Sequence, residues 1–286
     1  MTRIVYLNGE FIDEAEAKVP IMDRGLLFAD ALYEGMGVLD GAIVDVRKHM
    51  ARLRRSLAEI AMPEPHTEEE FLGILTELVR RNDVDEGFLY LHVTRGVAER
   101  EYVPAAGLTA TVFGFTQSLH GAPADVEPTG LTMSSQPDLR WARRDIKTTN
   151  LLGQVLAKWG AAEAGADEAL LVAPDGTVTE GGAVSFFSVV DGTVLVRPQS
   201  NDILPGITRS TLLEVLEAEG IPIDERTYTL DEALAADEAM ITGASSYVEP
   251  IVAIDGHTIG GGGPGALTLR LRTAYLALVR SRLHAD

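Results

Sequence analysis

The chain has 286 residues, 46% hydrophobic and 23% charged, enough apolar material for one large domain or two modest ones. Its 24 basic and 43 acidic residues leave a net charge of −19, which disfavours nucleic acid and anionic membranes, because phosphate-rich partners need a cationic face. Cysteine is absent, so disulfides, thiolate metal sites, iron–sulfur clusters and thiol nucleophiles are excluded, and no metal site is expected. Residues 1–11 are charged early and turn within ten residues, so no signal peptide is expected. No apolar run approaches the roughly 18 residues that span a bilayer. A soluble, cytoplasmic protein is expected.

In chain order, Asn8-Gly9 between alternating apolar residues predicts a hairpin, and Asp40-Gly41 predicts a second. Met50, Leu53, Leu57 and Ile60 fall at helical spacing within 49–62. A helix over 67–81 has Thr67 as N-cap and Glu70 as its capping-box partner. Residues 87–94 and 109–116 are rich in β-formers, and 121–128 has the Gly and Pro content of a linker. Beyond it come a helix over 151–164 and short strands over 169–173, 177–179, 183–190 and 194–197, with Asp175-Gly176 and Asp191-Gly192 turns. A helix follows Pro205-Gly206, and a last one covers 267–283. Gly260–Gly263 lacks the Lys-Ser/Thr of a phosphate loop. The reading is an α+β chain of two domains: 1–120, a linker over 121–130, and 131–286.

Four segments could carry chemistry. Only four of the basic residues are lysines: Lys18, Lys48, Lys147 and Lys158. An amine can lose its proton and form a Schiff base, which a guanidinium cannot. Lys147 stands before a helix among Ile146, Thr148, Thr149 and Asn150; partial desolvation of an amine there favours the nucleophilic free base. The alternative is a lysine paired with Asp145. Glu180 ends a short strand before Gly181-Gly182, where a flat ligand can approach closely and a buried carboxylate can hold a pyridinium proton; the alternative is a solvated turn. Leu204-Pro205-Gly206-Ile207-Thr208 opens a helix whose free N–H groups and threonine hydroxyl suit an anion, or simply cap the helix. His49 and Arg52 share a helix face, and Arg52 could clamp a phosphate or be solvated like Arg54 and Arg55. An amine, a pyridinium partner and a phosphate cradle together match the needs of pyridoxal phosphate.

The chain resembles the fold-type IV pyridoxal-phosphate enzymes, the class IV aminotransferases, from Tyr6-Leu7-Asn8-Gly9 to Ile254-Asp255-Gly256. Asp23-Arg24-Gly25, Phe28-Ala29-Asp30, His49-Met50-Ala51-Arg52-Leu53, the Lys147 segment, Thr179-Glu180-Gly181 and the 204–209 segment match in order. The resemblance implies a small N-terminal α/β domain, a larger C-terminal pseudo-barrel domain and pyridoxal 5'-phosphate between them. It also implies a homodimer whose subunits complete each other's pockets. By position, Lys147 resembles the Schiff-base lysine that shuttles the substrate proton, and Glu180 the pyridine-nitrogen partner. Arg52 with the backbone of Ile207 and Thr208 resembles the phosphate cradle, and Leu204 the residue against one ring face.

Residues 90–100 are similar to those of D-amino acid transaminases, in which positions matching Tyr33 and Arg100 capture the substrate carboxylate. That implies transfer of an amino group from a D-amino acid such as D-alanine to a 2-oxo acid, with ping-pong kinetics. Three departures stand out. Tyr102 replaces a histidine of the carboxylate trap. Gly181-Gly182-Ala183-Val184-Ser185 stands where a serine-rich stretch is usual, which removes hydroxyls near the cofactor and makes the pocket around the substrate candidates Gly182 and Ala183 roomier and less polar. Ala244 replaces a threonine offered to the phosphate, leaving Ser245 or backbone N–H groups. The alternatives are a branched-chain L-amino acid or (R)-selective amine transaminase, or aminodeoxychorismate lyase.

Overall fold

The computed structural model describes residues 2–119 and 121–283. The chain forms two units, Met1–Leu119 with Ile146–Asn150 and Arg282–Asp286, and His120–Asp145 with Leu151–Ser281. Both mix helices with sheet, as the α+β reading expects.

In the first unit, Asn8 and Gly9 at positive φ (47° and 101°) turn β1 (Ile4–Leu7) back onto β2 (Glu10–Asp13). The one-turn α1 (Arg24–Phe28) precedes β3 (Ala31–Leu39), and Asp40-Gly41 turns β3 onto the short β4 (Ala42–Ile43). Helices α2 (Val46–Glu59) and α3 (Glu68–Arg81) follow, then β5 (Gly87–Thr94) and β6 (Thr111–Gln117). The sheet order is β2-β1-β6-β5-β3-β4, antiparallel throughout. The period-2 alternation of strands divides its faces. Leu32, Met36 and Val38 of β3 and Leu89, Leu91 and Val93 of β5 are fully buried. On that face Leu78 of α3 lies against Gly114. The Thr67–Glu70 capping box opens α3 as expected. Helix α2 starts and stops three residues earlier than the 49–62 spacing predicts. It is entered through Asp45 at φ 51°, and Ala61 at φ 48° takes the chain out of the helix, with the Met62 N–H closing on the Leu57 carbonyl.

The second unit runs β7 (Leu131–Pro137), α4 (Leu152–Glu163), β8 (Glu168–Val172), β9 (Val178–Gly181), β10 (Ser185–Val190), β11 (Thr193–Val196), α5 (Ile207–Ala218), β12 (Ile223–Glu225), α6 (Leu230–Leu234), β13 (Glu238–Gly243), β14 (Tyr247–Ile254), β15 (His257–Thr258) and α7 (Ala266–Arg282). Its sheet has the order β12-β11-β10-β13-β14-β7-β8-β9, with β15 on β14. Strands β7 and β8 are parallel and joined through α4, which packs on both. Met133, Leu170, Phe186, Leu195, Tyr228, Ile241 and Ile254 make the core. Helix α7 buries Thr268, Leu271, Arg272, Tyr275 and Val279, a 3.6-period stripe. The stretch with linker composition is bonded into this unit. Gly121 N–H donates to Ser245 O at 2.9 Å, and buried Arg272 donates to the carbonyls of Ala122 and Pro123, each at 2.9 Å.

One boundary differs from the sequence reading. The Lys147 segment, placed by its position in 131–286, belongs to the first unit. Tyr33 N–H donates to Lys147 O at 3.0 Å, Thr149 N–H donates to Ala31 O at 3.2 Å, and Leu32 and Thr148 form a bridge. Five residues thus add to the open edge of β3, a long-range pairing that local pattern does not encode.

Candidate active site

The residues singled out from the sequence fall into two sets, one in each unit. In the first, Lys147 is half-buried, and its Nζ stands 4.3 Å from the ring centroid of Tyr33. Among the described residues Lys147 has no ion-pair partner, and the Asp145 carboxylate is held by Arg143 at 2.9 and 3.0 Å. The pairing alternative for Lys147 therefore falls.

Arg52 is buried, not solvated. Its Nε and Nη2 donate to the two oxygens of Glu34 at 3.0 and 2.6 Å, and His49 Nδ1 donates to Glu34 Oε2 at 2.7 Å. All three side chains lie inside the first unit, because α2 lays one face against β3. Burial alone would raise the Glu34 carboxyl, but the Arg52 charge and the two sets of hydrogen bonds bring it down to about 2. Burial pushes His49 below the ordinary histidine range against the pull of Glu34, which keeps the imidazole neutral.

Arg100 and Tyr102 lie on an exposed loop. The Arg100 guanidinium sits 5.4 Å from the Phe28 ring and 5.8 Å from that of Tyr102, and Tyr102 is 78% exposed. Among the described residues Arg100 has no carboxylate partner. The loop is gripped from beneath by Arg24, whose Nε donates to Asp30 at 2.8 Å and whose Nη2 donates to Tyr102 O at 3.1 Å.

In the second set Glu180 lies within β9 and is buried, so the solvated-turn alternative falls as well. Arg140 Nη1 donates to Glu180 Oε1, while its Nε and Nη2 hold the buried Asp138 at 2.9 and 2.7 Å. Thr179 Oγ1 donates to Asp138 Oδ2 at 2.8 Å. Burial raises the Glu180 carboxyl, and Arg140 with the Leu204 N–H (3.3 Å) opposes the rise. Asp138 is desolvated too, but it takes more of the guanidinium and is held low.

Leu204 is thus tied to Glu180 three residues before α5. Helix α5 opens at Gly206 without a side-chain cap, leaving the N–H groups of its first turn to other acceptors, and Thr208 is buried there. A Cβ at Gly206 would come within 2.8 Å of Ser185 Oγ. Ser185 pairs in register with Thr242, next to the turn of Gly243, Ala244, Ser245 and Ser246 that joins β13 to β14. Two buried hydroxyls flanking this turn, Thr242 Oγ1 and Ser246 Oγ, have no hydrogen-bond partner among the described residues. A carboxylate acceptor, open helical N–H groups and unpartnered hydroxyls form a donor set that fits a phosphorylated, protonated nitrogen heterocycle.

Gly182 and Ala183 behave differently from each other. Gly182 is buried against Lys158 and Glu168, where a Cβ would meet Lys158 Cγ at 2.7 Å; Ala183 is exposed. Lys158 itself is taken by Glu168 at 2.6 Å.

Arg140 and Asp138 escaped the sequence reading, and Glu34 and Arg24 were given no role by it. Each holds a residue that the motifs did reveal. For Glu34 the available signal was a carboxylate at an inward strand position, a placement that demands a partner. Among the described residues no group of His, Asp and Glu is placed to hold a metal, and no helix is long and apolar enough to cross a membrane.

The family profile described as "Amino-transferase class IV" matches residues 31–254. The chain is 38% identical over 279 residues to a D-alanine aminotransferase of Staphylococcus haemolyticus, covering 97% of this chain and 98% of the relative. It is 40% identical over 270 residues to one of Bacillus licheniformis, covering 94% and 95%. A branched-chain amino acid aminotransferase from Thermobaculum terrenum, solved in its PLP form, superposes with a TM-score of 0.87 at 27% identity, over 98% of this chain and 95% of that one. The chain belongs to the class IV aminotransferases.

Proposed function

We propose that this enzyme uses pyridoxal 5'-phosphate to move an amino group from a D-amino acid, such as D-alanine, to a 2-oxo acid. The observation that carries the reading is Lys147, half-buried over the Tyr33 ring and without an ion-pair partner among the described residues. Full-length likeness to two D-alanine aminotransferases supports the handedness of the donor.

Glu180 would hold a proton on the cofactor's ring nitrogen, and Leu204 would lie against the ring. Arg52, the N–H groups of Ile207 and Thr208, and Ser245 with the Ala244 N–H would hold the phosphate. When bound, the cofactor supplies an electron-withdrawing ring that stabilises negative charge at the donor's Cα. Lys147 Nζ would take the proton from the donor's Cα and deliver it to the cofactor's C4′. Tyr33, Arg100 and Tyr102 would bind the donor carboxylate, with Gly182 and Ala183 shaping the neighbouring space.

We also infer a homodimer in which the exposed Arg100 loop serves the other copy's substrate. Leu152, Val155, Leu156 and Trp159 expose one continuous apolar face of α4, with Trp159 62% exposed, which suits burial against a second copy. A Trp159→Glu change is expected to shift sedimentation toward monomer.

The first test is the visible spectrum of the loaded enzyme with D-alanine alone and with L-leucine alone. Conversion to the pyridoxamine form by D-alanine supports the reading. A response to L-leucine only favours a branched-chain amino acid enzyme like that of Thermobaculum terrenum. Double-reciprocal plots are expected to be parallel; intersecting lines count against a ping-pong transfer.

A further inference from the structure

The first unit's sheet buries one face. The other carries an unbroken run of aromatic rings that begins beneath the Lys147 amine. Register places Tyr33 opposite His92 and His92 opposite Phe113, and Gly35 opposite Tyr90 and Tyr90 opposite Phe115, so these side chains share a face. Tyr33 stacks on Tyr90 at 5.4 Å, Tyr90 on Phe115 at 4.8 Å and His92 on Phe113 at 4.4 Å. Tyr90 OH and His92 Nδ1 share a hydrogen bond at 3.0 Å, which fixes both rings. Phe88 lies over Gly35, where a Cβ would come within 2.5 Å of its ring. All six of these rings are half-buried.

We propose that this aromatic wall receives the donor's side chain and makes aromatic D-amino acids, of which D-phenylalanine is the probe, better donors than D-alanine or D-glutamate. The proposal rests on the transaminase reading above, because Lys147 must reach the donor's Cα. A substrate held there has the Tyr33 and Tyr90 faces beside it, and ring-on-ring contact adds to simple burial. Among the described residues the wall's own rings carry no charge to pair with an acidic side chain. The charges in ring contact with it are Lys147 at the Tyr33 end and Arg3 at the Phe115 end, and Arg3 is paired with Glu14. The histidine on the wall is neutral, since burial brings it down to about 4.

The test measures kcat/KM for D-phenylalanine, D-alanine and D-glutamate with one 2-oxo acid acceptor. Calorimetric binding of 3-phenylpropionate, propionate and glutarate to the loaded enzyme gives a readout free of turnover. D-phenylalanine is expected to exceed both other donors at least tenfold, about 1.4 kcal/mol, and 3-phenylpropionate to bind at least tenfold tighter than the other two acids. Tyr90→Leu is expected to bring the phenylalanine-to-alanine ratio towards one, while Tyr90→Phe, which keeps the ring, preserves it. Transamination of D-alanine with no preference for D-phenylalanine, or tighter binding of glutarate, overturns this proposal and leaves the transaminase reading standing. Absence of turnover with every amino donor overturns that reading itself.

Discussion

Glu34 and Arg52 meet inside the first unit as a two-point ion pair, at 3.0 and 2.6 Å, with His49 closing on the same carboxylate at 2.7 Å. Removing one partner of a buried pair leaves the other charge desolvated. Glu34→Gln is expected to cost about 3–5 kcal/mol of stability, read as a lower urea midpoint of the apoprotein. It is also expected to weaken retention of the cofactor, since Arg52 loses the group that aims it. A variant with unchanged midpoint and cofactor affinity would count against the pair as a positioning device.

Acid should destabilise the protein in two windows. His92 is brought down to about 4 by burial, so the unfolded chain, with an ordinary histidine value near 6.5, binds the proton first; stability falls as pH drops from about 6.5 to 4. Glu34, held at about 2 against an ordinary 4.5, contributes stability above pH 4.5 that is lost as pH falls towards 2. Each is worth up to about 3 kcal/mol over its window. The raised carboxyls of Glu180 and Glu249 act in the opposite sense: the folded chain takes up their protons before the unfolded chain does, above about pH 4.5, which offsets part of the upper-window loss. Chemical denaturation across pH 7 to 3 checks the profile, and His92→Gln is expected to flatten the upper window.

Lys147→Ala is expected to keep the fold, with stability within about 1 kcal/mol of wild type, because the side chain makes no ion pair among the described residues. Transamination is expected to drop by at least ~10²–10⁴. Retained turnover would sink the assignment of the base.

Arg140 stands between two buried carboxylates, Asp138 and Glu180. Arg140→Ala leaves both without their guanidinium and is expected to lose about 3–5 kcal/mol. Arg140→Lys, a point charge without a planar fork, is expected to recover only part of that. Thermal melts of the apoprotein separate the two, and equal melting of both variants would contradict the two-sided geometry.

Arg24 holds the backbone of the Arg100 loop through the Tyr102 carbonyl at 3.1 Å. Arg24→Ala removes a charged donor worth about 1.5–3 kcal/mol. If the loop presents Arg100 to a substrate carboxylate, KM for the amino donor rises about tenfold or more while kcat changes less. A fall in kcat alone would place Arg24 elsewhere in the reaction.

Local chemistry is legible in the chain itself. The Asn8-Gly9 and Asp40-Gly41 hairpins, the Thr67–Glu70 capping box and the helix after Gly206 depend on residues within a few positions of each other, and they form where the pattern places them. The scarcity of lysine and the ordered motifs around Arg52, Lys147 and Glu180 point to an amine-based chemistry for the same reason. What the tertiary structure decides is long-range. It carries Lys147 onto the edge of β3, ties residues 121–123 into the second unit through Arg272, and gives Glu34, Arg140 and Arg24 their partners. It also gathers residues 33, 90, 92, 113 and 115 onto one sheet face. Strand register and the desolvation of charge both depend on what packs alongside, and neither is written in a residue's near neighbours.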